Sequence, residues 1–146
     1  METLVNCEIV ADIRLVWNIL GGDQYFIIYF EDSNKTKKKL VFSEVWDMRY
    51  SIESGYRERG DNFIRDVREE SSMYIIKNSE YLKYFERQAV VPFPMGGIEN
   101  YIIFDRVDTI VEFLASKKPE LVELDKDSFE YHEYFKPLGK AKGRSR

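Results

Sequence analysis

Leu40-Val-Phe-Ser-Glu-Val-Trp-Asp-Met-Arg-Tyr-Ser-Ile52 places Leu40, Phe42, Trp46, Met48, Tyr50 and Ile52 on the even positions, where only Glu44 interrupts an apolar row. Successive strand side chains alternate between faces, so this period of two predicts one long β-strand. Its other face would carry Ser43, Asp47, Arg49, Ser51 and, just beyond, Glu53. A straight strand would bury the Glu44 carboxylate, which costs several kcal/mol (~1–5) unless the group is paired or protonated. Two readings are open: a bulge at Ser43-Glu44 that returns Glu44 to solvent and re-aims Val45, or an acid held on a concave sheet surface for a partner.

On the N-terminal side of this stretch the pattern is also that of an antiparallel meander. Val5, Cys7 and Ile9 alternate, Ile13 to Leu20 comes next, and Gly21-Gly22-Asp23 reads as a turn. Tyr25 to Phe30 is apolar on both faces, which predicts a central strand covered on each side. Glu31-Asp32-Ser33-Asn34 is a turn cluster that feeds the long strand.

On the C-terminal side the periods are mixed. Residues 54–61 read as loop, and Asp61 with Phe63, Ile64 and Val67 permits a short N-capped helix. Met73 to Ile76 predicts a buried strand, after which Asn78 or Ser79 caps a helix carrying Tyr81, Leu82 and Phe85. Val90 to Ile98 is a loop by its Pro and Gly content, yet apolar, and serves either as a lid on the core or to present Phe93 and Met95 to a partner. Tyr101 to Phe104 predicts a strand. Val107, Ile110, Val111 and Leu114 then match one helical face, with Asp105 as cap, Asp108 in the first turn, and an end near Ser116 before Lys117, Lys118 and Pro119. Leu121 to Leu124 offers a last short strand. The fold class predicted is α+β: a single domain over residues 1–135 with an N-terminal antiparallel β-meander packed by C-terminal helices in a β-α-β-α portion, and a flexible basic tail over 136–146.

Length and composition fit that reading. A chain of 146 residues, 44% hydrophobic and with ten Tyr, ten Phe and two Trp, has enough apolar area to form one core without a cofactor or disulfide. The single cysteine excludes an internal disulfide, and the acidic N-terminal segment with no membrane-length apolar run predicts a cytoplasmic protein. The net charge of −4 hides an asymmetry: Lys136, Lys140, Lys142, Arg144 and Arg146 all lie in the tail. Taking those five from 22 leaves 17 basic against 26 acidic residues, a body of net −9 that repels nucleic acid and steers basic partners towards itself.

Catalytic patterns are missing from the sequence. His132 is the one histidine and lies far in sequence from Cys7, so triad chemistry has no basis, and the plain reading is a structural thiol and a surface histidine. No His or Cys pair has metal-ligand spacing, and the acidic clusters lack a calcium-loop pattern. Gly96-Gly97 precedes a strand where a phosphate cradle would open onto a helix. The expectation is a non-enzymatic protein without cofactor or metal. Asp47, Arg49 and Glu53 read as a charge ladder in which Arg49 pairs along or across the strand, with a solvated surface as the plain alternative.

The segments 40–53, 73–82 (Met-Tyr-Ile-Ile-Lys-Asn-Ser-Glu-Tyr-Leu) and 101–114 (Tyr-Ile-Ile-Phe-Asp-Arg-Val-Asp-Thr-Ile-Val-Glu-Phe-Leu) together resemble small immunity proteins of Gram-positive bacteria. Those proteins are encoded beside polymorphic toxins, notably LXG-type toxins with C-terminal nuclease domains. The resemblance implies an antitoxin that binds its cognate toxin and blocks its active site or access of substrate, with no direct nucleic-acid or membrane partner. An acidic inhibitor suits a basic, phosphate-binding cleft. Charge and expected exposure single out Asp32, Glu44, Asp47, Glu53, Glu58 and Asp61 as contacts, with Trp46 and Tyr56 as aromatic anchors. The alternative is a scaffold module that engages nucleic acid or an acidic partner through its basic tail.

Overall fold

Leu40 and Phe42 are fully buried, Val45 is buried, and Glu44 between them is exposed. The computed structural model describes residues 2–52, 64–65, 71–89, 97–107 and 109–136, and shows why the alternation breaks there. The stretch forms two strands, β4 (Lys37–Phe42) and β5 (Val45–Ile52), in two different sheets. Glu44 adopts a left-handed φ of 53°, which turns the chain from one sheet to the other. The expected single strand is thus corrected to a sheet-switching corner. Glu44 reaches solvent, as the bulge reading required, but the register shift itself lies one step later, between Val45 and Asp47.

That bulge gives Trp46 and Asp47 to the same face. Val45 and Met48 pack into the core, whereas Trp46 packs beside a helix and Asp47 bonds to it. Even-numbered alternation therefore fails over Glu44 to Trp46 and resumes at Met48, and Tyr50, on the same side as Met48, ends 55% exposed at the open edge.

The remaining strands are β1 (Thr3–Asn6), β2 (Leu15–Gly22), β3 (Tyr25–Glu31), β6 (Ile64–Arg65), β7 (Met73–Lys77), β8 (Glu99–Phe104), β9 (Thr109–Ala115) and β10 (Glu120–Glu123). The larger sheet has the order β5-β9-β8-β7-β1-β6 and the smaller β10-β4-β3-β2; all pairs are antiparallel except β1 with β6. Ile28, Phe30, Leu40 and Phe42 of the smaller sheet meet Met73, Tyr101, Ile103, Val111 and Phe113 of the larger in one buried cluster. Phe42 stacks on Phe113 at 4.3 Å between centroids and meets Tyr101 edge-on at 5.7 Å.

Each sheet is covered on its outer side by a short helix. Helix α1 (Glu80–Gln88) begins at Ser79, whose Oγ accepts from the Leu82 N–H at 2.9 Å and donates to Asn100 Oδ1 at 2.7 Å. Tyr81, Leu82 and Phe85 pack with Trp46, Ile98 and Leu114, so this helix matches its sequence pattern. Helix α2 (Phe129–Glu133) lies over β3, where Tyr29 stacks on Tyr134 at 4.7 Å and packs with Leu124 and Phe135. Tyr25 to Phe30 accordingly lies in a central strand, which is covered on both faces at Ile28 to Phe30 while Tyr25 at its start is exposed.

Several expectations need correction. The helix expected from Asp105 to Ser116 is contradicted: the Asp105 N–H donates to the Thr109 carbonyl, and Thr109–Ala115 is strand β9, paired with both β5 and β8. Ile110, Val111, Phe113 and Leu114 are buried, so both faces are covered and the helical spacing was a coincidence within a short apolar run. The helix expected near Asp61 is contradicted at Ile64–Arg65, which pair as strand with Thr3 and Leu4. The β-α-β-α portion becomes mostly strand, and the helical content among the described residues is α1 and the five-residue α2. Cys7 and Ile9 lie past the end of β1, and the glycines at 21 and 22 belong to β2, the turn being Asp23-Gln24. A Cβ at Gly21 would collide with the Tyr25 carbonyl and the Phe26 ring, so this strand position requires glycine. Asp108, Phe93, Met95 and the tail beyond Lys136 lie outside the described residues.

Phe113→Ala should lower the unfolding free energy by about 3–5 kcal/mol in urea titration, because it empties a site at which both sheets meet. Glu130 anchors α2 by accepting from Lys39 at 2.8 Å and from the Tyr29 hydroxyl at 2.7 Å. Burial opposes its charge, yet these two donors hold its carboxyl below the ordinary 4.5. The stabilisation is therefore complete above the unfolded-state value and is lost as pH falls through the folded one. Glu130→Gln should cost about 1–2 kcal/mol at pH 7, and the gap from the parent should close in acid, as read by melts at pH 7 and pH 3.

Candidate functional site

The β4–β5 corner gathers three of the residues singled out by sequence. Glu44 and Asp47 are exposed, and Trp46 lies between them. Ser116, just beyond β9, organises the corner: its N–H donates to the Glu44 carbonyl at 3.0 Å, its Oγ donates to Glu44 Oε1 at 2.9 Å, and it accepts from Trp46 Nε1 at 3.2 Å.

Sequence reading missed two neighbours. Asp23 and Gln24 form the two-residue turn between β2 and β3, with φ of 52° and 69°. Two positive φ values match the twist of the flanking strands, and they bring the Gln24 carbonyl to within 3.1 Å of the Val45 N–H. Asp23 and Asp47 consequently line one dent of about 300 Å³ with Trp46 and Met48. The sequence signal was present in Gly-Gly-Asp-Gln between two apolar runs, but nothing in it showed which strand the turn would meet. Among the described residues, none of Asp23, Glu44 and Asp47 is in an ion pair.

Arg49 is occupied differently from the expected ladder. It pairs across to Glu112 of β9 at 3.0 Å, and its guanidinium lies 3.7 Å over the Tyr81 ring. Glu112 is only 3% exposed, and such partners offset the cost of burying its carboxylate. Tyr81 donates its hydroxyl to Asp47 Oδ2 at 2.7 Å. Burial, then that bond to a carboxylate, pushes the Tyr81 hydroxyl far above its ordinary value, so it stays a neutral donor and holds Asp47 in place.

Asp32 does not join the corner. It is 6% exposed, accepts from the Asn34 and Thr36 N–H groups at 2.9 Å each, and pairs with Lys38 at 3.1 Å. Although burial opposes the charge, these donors lower its pKa, which makes Asp32 a turn-forming residue in place of the expected contact. Glu53, Tyr56, Glu58 and Asp61 lie outside the described residues.

Groups with catalytic potential are committed locally. The Cys7 thiol donates to the Ile9 carbonyl at 3.1 Å, and exposed His132 bonds the Lys126 carbonyl through Nε2 at 2.8 Å. Cys7 and the buried Tyr101 line one cleft of about 340 Å³, and burial together with the nearby Glu99 charge pushes the Tyr101 hydroxyl up to about 12. Among the described residues no group of three His, Cys, Asp or Glu is arranged to hold a metal ion, and no helix is long and apolar enough to cross a membrane. What the corner offers is an exposed acidic surface around a half-buried indole, suited to binding a cationic group.

No family model matches this chain, and no curated protein or solved structure matches it either.

The corner's backbone can be tested through Glu44. Glu44→Gly should leave stability unchanged or raise it by up to about 1 kcal/mol, because glycine adopts the left-handed region freely. Glu44→Val should lower it by about 1–2 kcal/mol in the same denaturant titration.

Proposed function

We propose that this protein is an immunity protein that binds and neutralises a cognate, nuclease-type bacterial toxin, in the manner of the antitoxins paired with LXG-type polymorphic toxins. It acts in the cytoplasm as a binding protein without catalytic chemistry, cofactor or metal. Its globular part spans residues 1–135, and the basic segment 136–146 is dispensable for binding. The observation that carries the reading is the pair of Asp23 and Asp47 carboxylates in one dent with Trp46, and Glu44 two positions before Trp46 in the chain, all three exposed and without ion-pair partners among the described residues, on a body rich in acid. A nuclease must present cationic side chains to phosphate, and an acidic surface competes for that cleft while steering the encounter at long range. Trp46 supplies the aromatic area that concentrates binding energy in a contact of this kind.

Co-expression with the neighbouring toxin tests the proposal. Cells should survive and a complex should persist through gel filtration; continued killing with no complex would refute it. Asp23→Asn together with Asp47→Asn should slow association at least tenfold at low salt, with a smaller effect at high salt, and leave the melting temperature nearly unchanged. Deleting residues 136–146 should leave neutralisation intact, whereas a module working through its basic tail would lose most of its affinity and its salt dependence.

A further inference from the structure

The acidic corner is one end of a longer groove. On the open side of the sandwich, β2 ends the smaller sheet and β5 ends the larger, and between them runs a groove of about 410 Å³. Its lining includes Val16 and Ile19 of β2, Phe26 of β3, and Met48 and Tyr50 of β5. Phe26 and Met48 also line the dent that holds Asp23 and Asp47, so the apolar groove and the acidic corner are continuous.

An exposed sheet edge is an obvious place for a partner strand to add, yet both edges here are interrupted. The register of β2 shifts between Val16 and Asn18, at Trp17, and that of β5 shifts between Val45 and Asp47, at Trp46. These are the two tryptophans of the chain, and each indole N–H is held, Trp17 by Glu31 at 2.6 Å and Trp46 by Ser116 at 3.2 Å. A bulge bends its strand and breaks the regular spacing of outward backbone groups, which discourages a continuous ladder. The surface left for recognition is therefore side-chain surface: an apolar floor with carboxylates at one end.

We infer that this groove seats an extended, basic segment of a partner protein, with an apolar side chain on Phe26 and Met48 beside Tyr50 and a Lys or Arg against Asp23 and Asp47, next to the exposed Glu44 of the corner. Charge complementarity selects the occupant, because a neutral apolar segment would leave Asp23 and Asp47 without a counter-charge at this end, and an acidic one would be repelled. The inference deepens the antitoxin reading by naming where and how the toxin would be held.

Panning a displayed library of random 12-residue peptides against the full chain tests it without the toxin. Enriched peptides should pair an apolar residue with nearby Lys or Arg, bind more weakly as salt rises, and lose at least tenfold in affinity on both Asp23→Asn/Glu44→Gln/Asp47→Asn and Tyr50→Ser. These substitutions keep the turn geometry and alter exposed groups, and unchanged circular dichroism and melting would show that the fold is retained. No enrichment, or peptides bound equally by the variants, would overturn the groove. A concentration-dependent dimer abolished by Tyr50→Ser would assign it to a second copy of the chain and overturn it as well. Selected peptides without any toxin complex would refute the antitoxin reading and leave the groove standing; a toxin complex indifferent to both variants would refute the groove as its seat.

Discussion

Phe42 and Val45 are close neighbours in the chain, yet they belong to different sheets, and both are buried in the cluster where those sheets meet. The crossing depends on one left-handed residue, Glu44, whose carbonyl accepts from the Ser116 amide and whose neighbour Val45 donates its N–H to the Gln24 carbonyl. Because β4 must continue into β5 through this corner, the Phe42–Phe113 stack, the pairing of β5 with β9 and the approach of the β2–β3 turn are fixed together. The same turn of the chain that closes the core also turns Glu44 outward onto Ser116, next to the corner that Asp23 and Asp47 line. Fold and candidate surface thus share one backbone constraint, and a carboxylate stands where a buried side chain could not.

Two loops show how local chemistry misleads. Asp32-Ser-Asn-Lys-Thr36 and Asp105-Arg-Val-Asp-Thr109 share the pattern Asp-x-x-x-Thr. In both, Oδ1 of the Asp accepts from the N–H groups two and four residues on, and the Asp N–H donates to the Thr carbonyl. An aspartate that accepts from succeeding amides is also how a helix begins, so the Asp at position 105, expected to cap a helix, was compatible with two continuations. The residues after the loop decide between them: Thr-Ile-Val with Phe beyond is rich in β-branched and aromatic side chains, and sheet neighbours on both sides satisfy its backbone. Asp105 Oδ2 also accepts from the Val16 N–H at 3.2 Å, tying this loop of the larger sheet to the smaller one.

Polar groups that looked available in sequence divide into two sets. Asp32, Lys37, Lys38, Lys39 and Glu130 form contacts that fix a turn and dock α2 on the smaller sheet. Arg49, Glu112, Tyr81 and Asp47 form a second network across β5, β9 and α1. Only Asp47 belongs both to such a network and to the open corner, where a neutral tyrosine fixes its direction and leaves its charge facing out.

Sequence by itself determined the amphipathic strands, the central strand at Tyr25 to Phe30, the helix after Asn78-Ser79 and the acidity of the body, because each is written in local period, local capping or summed charge. Only the tertiary structure decided that residues 40–52 serve two sheets, that residues 109–115 are a strand between two others, and that Asp23 joins Glu44 and Asp47. These depend on long-range pairing, in which the partner strand supplies the hydrogen bonds and the burial that choose among locally acceptable conformations. A period of two specifies that a segment has two faces; which sheet it enters, and where its alternation breaks, is set by the strands it meets.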